Sequence, residues 1–312
     1  MRATPETIQA FTDAMPREAR VLLNHPLAPL TTYRIGGPAE IFVEADNNDT
    51  LVTLLSAANR LGLAVTVLGG GSNTLIGDGG IEGVVVQLIG PHFEHLQTLD
   101  NGTRIAVGAA AAYPTLTRHA LLLGWPDALG WCGTPGQVGG ALRMNAGTRL
   151  GEIGPHVQHV SIATKDGVRT LSGNELSYAY RSSAFPPGSI ICGAVLKNPH
   201  EHTEDPAALL EKAGALAAKR KLTQPKIRSA GSIFKNPPGH FAGQLIESVG
   251  LKGHQIGRAQ ISQTHANFIV NLGGATANDV RALIELAQHE VHTQKQILLE
   301  CEVKFAGIFL GR

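Results

Sequence analysis

The chain has 312 residues, 43% hydrophobic and 16% charged, which is enough apolar material for a large core and enough length for two or three domains. Lys and Arg number 26 against 25 Asp and Glu, so no net basic field draws it to nucleic acid or to an anionic membrane. Cys132, Cys192 and Cys301 are widely spaced and form no CxxC pair, which argues against a disulfide framework and a cysteine zinc site and predicts a reducing compartment.

The opening segment MRATPETIQAFTDAMPREAR lacks an apolar h-region, and no run of ~18 apolar residues follows, so a soluble, cytoplasmic protein is expected. After an N-terminal helix, AEIFVEA (39–45) reads as a strand, Asp49 as the cap of a helix over TLVTLLSAANRLG, and AVTVL (64–68) as a second strand. Together they predict a β-α-β unit with parallel strands. Shorter strands follow at GVVVQL (83–88), FEHLQTL (93–99) and TRIAVGA (103–109), the last two joined by a DNG turn, which is a hairpin signal. A helix over 115–123, a glycine-rich stretch at 133–147 and strands at 157–164, 168–172 and 189–197 complete an α+β region.

PHEHTEDP (199–206) reads as a linker. Beyond it come a helix (205–222), the glycine-rich AGSIFKNPPG, a helix near 241–249, strands IGRAQIS and NFIVN, a long helix from Thr276 with Asp279 in its first turn, and a final strand ILLECEVKFAG (297–307). No repeat of solenoid period is found.

Glycine is the compositional anomaly, with 37 residues gathered in a few clusters. VLGGGSNTLI (67–76) places Gly69, Gly70 and Gly71 before Ser72 and Asn73, a backbone able to turn its N–H groups inward around a diphosphate with no Cβ in the way. It is neither a P-loop nor a GxGxxG fingerprint, and a tight turn linking two strands is an equal reading of the spacing. GTPGQVGGALRMNAG (133–147) is a second such stretch, with Gly136, Gly139 and Gly140. Two in one region favour a dinucleotide lying across both.

In AGSIFKNP, Ser232 is a hydroxyl between small residues beside Lys235 and Asn236; a structural serine in a glycine turn is the commoner meaning of that pattern taken alone. ECEVK puts Glu300, Glu302 and Lys304 on one strand face, which by itself is a solvated face. The 13 histidines show no ligand spacing, so no metal is expected.

These motifs, with TTYRIGGPAEIFVEA, YRSS, AGQLIESVGLKGHQIGRAQIS and HANFIVN, occur in the order found in the MurB family of UDP-N-acetylenolpyruvoylglucosamine reductases, and the resemblance runs from about Thr31 to Gly307. The short spacing from Tyr180 to Ser189 resembles its type II subgroup. The resemblance implies an α+β vanillyl-alcohol-oxidase/PCMH-like FAD-binding fold with a C-terminal α+β substrate domain. The implied limits are 1–68 with the returning strand 297–312, 69–200, and 205–296. It implies non-covalent FAD, NADPH as co-substrate and a UDP-sugar substrate in peptidoglycan precursor synthesis, with no membrane insertion and a monomer.

Arg181 and Glu302 are then the groups at the substrate carboxylate, the Glu as a donor with its pKa raised by burial beside a second carboxylate, and Ser232 is the proton donor. Glu300 is the rival to Glu302. Tyr180, Lys235, Asn236 and His265 hold the UDP-sugar, and Arg34 and the two glycine backbones hold FAD. MNAGTRLGEIG and the Cys132 of WCGTPG depart from the family pattern. An FAD oxidase of the same superfamily, or a non-catalytic nucleotide-binding module, are the competing readings.

Overall fold

The computed structural model describes residues 2–200 and 203–311. It divides into two compact units, one made of residues 1–22, 41–69 and 83–219, the other of residues 23–40, 70–82 and 220–312. This partition is coarser than the expected three parts, and it groups 297–312 with 220–296 rather than with 1–68. The limit falls between Lys219 and Arg220, inside the Pro206–Thr223 helix, and not in the 199–206 segment, of which Glu201 and His202 lie outside the described residues.

The first unit contains a four-stranded sheet in the order Arg20–Pro26, Pro38–Ala45, Ile81–Leu88, Val65–Val67, three of whose strands run on past the unit's own residues. Val65–Val67 pairs in parallel with Ile81–Leu88, so the strand read as GVVVQL inserts into the β-α-β unit. The Asn48–Leu61 helix is capped by Asn47, whose side chain accepts from the Thr50 N–H, and not by Asp49, which lies in the first turn. Asp49 there is still favourable beside the positive helix end. Leu51, Leu54, Leu55 and Ala58 form its buried stripe, the spacing of an amphipathic helix.

A five-stranded antiparallel sheet follows, in the order Gly167–Ser172, Val157–Thr164, Ile190–Lys197, Arg104–Gly108, Leu96–Leu99. The predicted strand 93–99 is helical over Gly90–Glu94 and extended only from Leu96. Trp125, Trp131, Tyr113 and Phe93 are fully buried in this unit's core.

In the second unit the strands Gln255–Ile256, Ala259–Ile261 and Ile269–Asn271 form an antiparallel sheet, against which helix Ala277–Lys295 packs. Thr276 and Asp279 close a capping box at its start. The C-terminal strand is shorter than predicted: Lys304–Ala306 pairs in parallel with Thr74–Ile76, and ahead of it Cys301 makes a single antiparallel bridge to Phe234. Alternation fails ahead of it, because Leu299 and Val303 are buried while Cys301 is half-exposed. Residues 300–303 instead run as a rail along the segment carrying Ser232.

Candidate functional site

In the first unit, Arg181 is presented by a tight turn. Ala179 and Ser182 exchange backbone hydrogen bonds of 3.1 and 3.0 Å, and Arg181 lies between them at φ +54, a left-handed conformation unfavourable for a residue with a Cβ. Its Nη2 donates to the Gly147 carbonyl at 3.0 Å, its Nη1 is 3.9 Å from Glu152 Oε1, and its guanidinium lies 5.1 Å from the ring centre of Tyr180. Tyr180 itself is exposed. The nearby Tyr113 phenol donates to the Ala146 carbonyl at 3.2 Å; burial raises its pKa well above the ordinary value, with Arg181 partly opposing.

The second glycine stretch belongs to this unit. Gly136, at φ +100, accepts from the Tyr113 N–H, and the Gly139 N–H donates to Ala109. Gly140 is exposed, and nothing lies within 4 Å of where its β-carbon would be. A β-carbon built at Gly69 would stand 3.0 Å from Gln137 Oε1, so the start of the first glycine loop lies beside the second stretch. Bare exposed backbone at Gly140, in the stretch that Gly69 adjoins at Gln137, fits a flat ligand with a diphosphate.

The rest of the first loop lies in the second unit. Gly71, at φ +57, lies so close to the Leu30 carbonyl that a β-carbon would stand 2.4 Å from its oxygen, and its own carbonyl accepts from the Thr32 N–H and hydroxyl. Gly70 is exposed and Ser72 half-buried. Tyr33 anchors the YRIGG segment, fully buried with its hydroxyl donating to the Ile269 carbonyl at 2.9 Å. Burial drives that phenol's pKa upward. Arg34 beside it is exposed, at φ +57, and donates to the Pro29 carbonyl.

Ser232 and Glu302 come together in this unit. The Glu302 N–H donates to the Ile233 carbonyl at 2.7 Å, and the Lys235 N–H to the Glu300 carbonyl at 2.9 Å. Asn73 Nδ2 donates to the Glu302 carbonyl at 3.1 Å, and the Asn73 carbonyl accepts from the Lys304 N–H. The first glycine loop, the serine turn and the C-terminal rail are therefore laced in one place. Glu300 is engaged otherwise: its side chain, 73% exposed, lies 2.5 Å from Lys235 Nζ. Asn236 Oδ1 accepts from the Ala242 N–H at the start of helix Ala242–Ser248. His265 is packed edge-on to Phe268, its Nδ1 accepting from the Asn267 N–H, and burial lowers its pKa.

The residue that fixes the serine turn is one the sequence reading passed over. Asn267 is 4% exposed, its Oδ1 accepting from the Phe234 N–H at 2.9 Å and its Nδ2 donating to the Phe234 carbonyl at 2.8 Å. Its own carbonyl accepts from the Ile233 N–H. The only signal available was its place in HANFIVN. With Ser232 between the flexible Gly231 and this clamp, its hydroxyl makes no hydrogen bond to protein among the described residues and is available to a ligand.

Comparison with known proteins identifies the family. Residues 39–172 match a family model described as an FAD binding domain. Residues 220–306 match one described as the C-terminal domain of UDP-N-acetylenolpyruvoylglucosamine reductase. A protein of that name from Anaeromyxobacter sp. (strain K) is 44% identical over 291 residues, covering 93% of this chain and 86% of that one. Its namesake from Myxococcus xanthus is 43% identical over 297 residues, covering 93% of each. The crystal structure of the Thermus caldophilus reductase superposes with a TM-score of 0.77 at 36% identity, covering 93% of this chain and 99% of that one.

Proposed function

Because the chain belongs to the UDP-N-acetylenolpyruvoylglucosamine reductase family, we propose that it reduces the enolpyruvyl group of UDP-N-acetylglucosamine enolpyruvate with NADPH, using Arg181, Glu302 and Ser232. The family is one of FAD-dependent oxidoreductases of peptidoglycan synthesis, with a vanillyl-alcohol-oxidase/PCMH-like FAD-binding fold followed by the family's own C-terminal domain. The division of the FAD-binding part into two subdomains near residue 69 belongs to the proposal, as do the contacts below.

FAD is held without a covalent bond by the backbones of Gly69 to Asn73 and Gly136 to Gly140, with Arg34 beside the first; when bound, it supplies the hydride that NADPH provides. Hydride addition to the terminal enolpyruvyl carbon leaves negative charge on the neighbouring carbon and its carboxylate. Arg181 is a permanent cation for that carboxylate, worth ~3–4 kcal/mol in the transition state if it acts like other preorganised charge-stabilising groups. Glu302 donates a hydrogen bond to the same carboxylate when protonated, and Ser232 Oγ delivers the proton to the carbon, a step typically worth ~10²–10⁴ in rate. Tyr180, Lys235, Asn236 and His265 hold the UDP-sugar.

The observation that carries the reading is the 2.7 Å bond from the Glu302 N–H to the Ile233 carbonyl. It sets the backbone of Glu302, from a distant part of the chain, against the residue that follows Ser232. Anaerobic stopped-flow tests it. Ser232→Ala is expected to leave flavin reduction by NADPH near its normal rate and to slow reoxidation by the enolpyruvyl substrate at least ~100-fold. Equal loss in both half-reactions makes the serine structural.

A further inference from the structure

Behind Arg181 stand two polar residues to which no role has been given, Glu152 and Asn145. Gly147 and Glu152 face each other as partners in a two-stranded ladder. The guanidinium addresses both members, Nη2 donating to the Gly147 carbonyl at 3.0 Å and Nη1 lying 3.9 Å from Glu152 Oε1. The other oxygen of that carboxylate, Oε2, accepts from Asn145 Nδ2 at 2.7 Å.

Asn145 is 2% exposed and left-handed, at φ +45. Its Nδ2 also donates to the Ala179 carbonyl at 3.0 Å, and its Oδ1 accepts from the Gly154 N–H at 2.9 Å. Ala179 is the base of the turn that carries Arg181. One buried amide thus holds both the backbone from which the arginine springs and the carboxylate that its head group faces.

We propose that Glu152, itself fixed by Asn145, is a positioning residue that pre-sets the guanidinium of Arg181 for the substrate carboxylate. The inference rests on the role of Arg181 proposed above. An arginine side chain carries about 2 kcal/mol of rotamer freedom, and one already ordered does not lose it when substrate arrives. Misplacement by about 1 Å can cost ~10² in rate.

A purely stabilising role fits poorly. At 3.9 Å, with side-chain exposures of 18% and 30%, the ion pair adds little to the fold, since such partly exposed pairs contribute roughly 0–1 kcal/mol. Its loss should therefore appear in rate and affinity before it appears in melting.

The test is a double-mutant cycle on the FAD-loaded enzyme, with Glu152→Gln in Arg181 and Arg181→Ala backgrounds. Glu152→Gln keeps an acceptor for Asn145 and removes the charge facing Arg181. It is expected to slow flavin reoxidation by the enolpyruvyl substrate ~10-fold with Arg181 present and less than ~2-fold without it. Calorimetric affinity for that substrate should weaken with the same dependence, and the melting temperature should shift by no more than about 3 °C. Equal slowing in both backgrounds, or none in either, overturns the inference. If Arg181→Ala alone leaves reoxidation unchanged, the assignment of Arg181 has failed first. Should Glu152→Gln not accumulate, Glu152→Asp, which withdraws the carboxylate by one methylene, goes through the same cycle and must show the same dependence on Arg181.

Discussion

The turn carrying Arg181 and the turn carrying Ser232 are each held by a buried asparagine, but the two asparagines work differently. Asn267 spends its side chain on backbone alone, on the N–H and carbonyl of Phe234. It fixes the path of the chain and leaves the serine hydroxyl uncommitted. Asn145 divides its bonds between backbone and the Glu152 carboxylate, so its influence reaches a guanidinium through an intermediate charge. A short side chain is aimed once its backbone is fixed; a long one needs its far end held as well.

The largest effect expected from breaking that contrast is at Asn267. Asn267→Ala leaves the N–H and carbonyl of a nearly fully buried Phe234 without their partner, which should cost ~2–4 kcal/mol in urea unfolding. Reoxidation of flavin by substrate should fall with it, because the clamp beside Ser232 is gone. A loss below about 0.5 kcal/mol would mean that the serine turn holds its shape without the clamp.

A smaller effect concerns acid, because burial lowers the pKa of one imidazole in each unit, fully buried in the first and half-buried in the second. His156 is fully buried between Trp125 and Trp131, ring centres 5.7 and 4.9 Å away. Burial lowers its pKa, with Asp127 and the Lys197 carbonyl partly opposing, and burial lowers that of His265. A histidine whose pKa is lower folded than unfolded takes up protons preferentially in the unfolded chain. Its stabilising contribution is therefore complete above about pH 6.5 and declines as pH falls below that value. Unfolding free energies at pH 7.5 and 5.5 should differ by about 1 kcal/mol, and His156→Gln should flatten the difference. Since both tryptophans of the chain adjoin His156, their fluorescence reports it directly; no change in the slope would remove His156 from the account.

The smallest loss of stability is expected at Gly140. It lies inside the Val138–Arg143 helix and its β-carbon would meet nothing within 4 Å, so Gly140→Ala should cost the flavin-free protein nothing, the helix gaining up to about 0.5–1 kcal/mol, while lowering the flavin retained on gel filtration. Full flavin retention would move the cofactor away from this backbone.

Much of this organisation was legible in the residues. The strand at 39–45, the hairpin around Asp100 and the helix start at Thr276 and Asp279 announce themselves by alternation and turn chemistry, whereas Ser232 and Glu302 stand out only through the resemblance to the family. The supports do neither. Asn267 was in view within HANFIVN, and Asn145 and Glu152 within MNAGTRLGEIG, yet a side chain bonded to another segment's backbone leaves no periodicity or charge pattern in its own neighbourhood. The strand predicted over 297–307 was too long for a related reason. Alternation shows that a segment can be extended, whereas only a neighbouring strand, found here at Thr74–Ile76, decides how much of it pairs.

The parallel ribbon of Thr74–Ile76 and Lys304–Ala306 also bears on how the protein is made. During synthesis the earlier of these segments leaves the ribosome long before the later one, and its strand edge stays uncovered for that interval, open to pairing with foreign strands. Contacts so far apart in sequence close slowly. The second unit, which needs residues 220–312 to join 23–40 and 70–82, should therefore be the last to mature and the first to call on a chaperone.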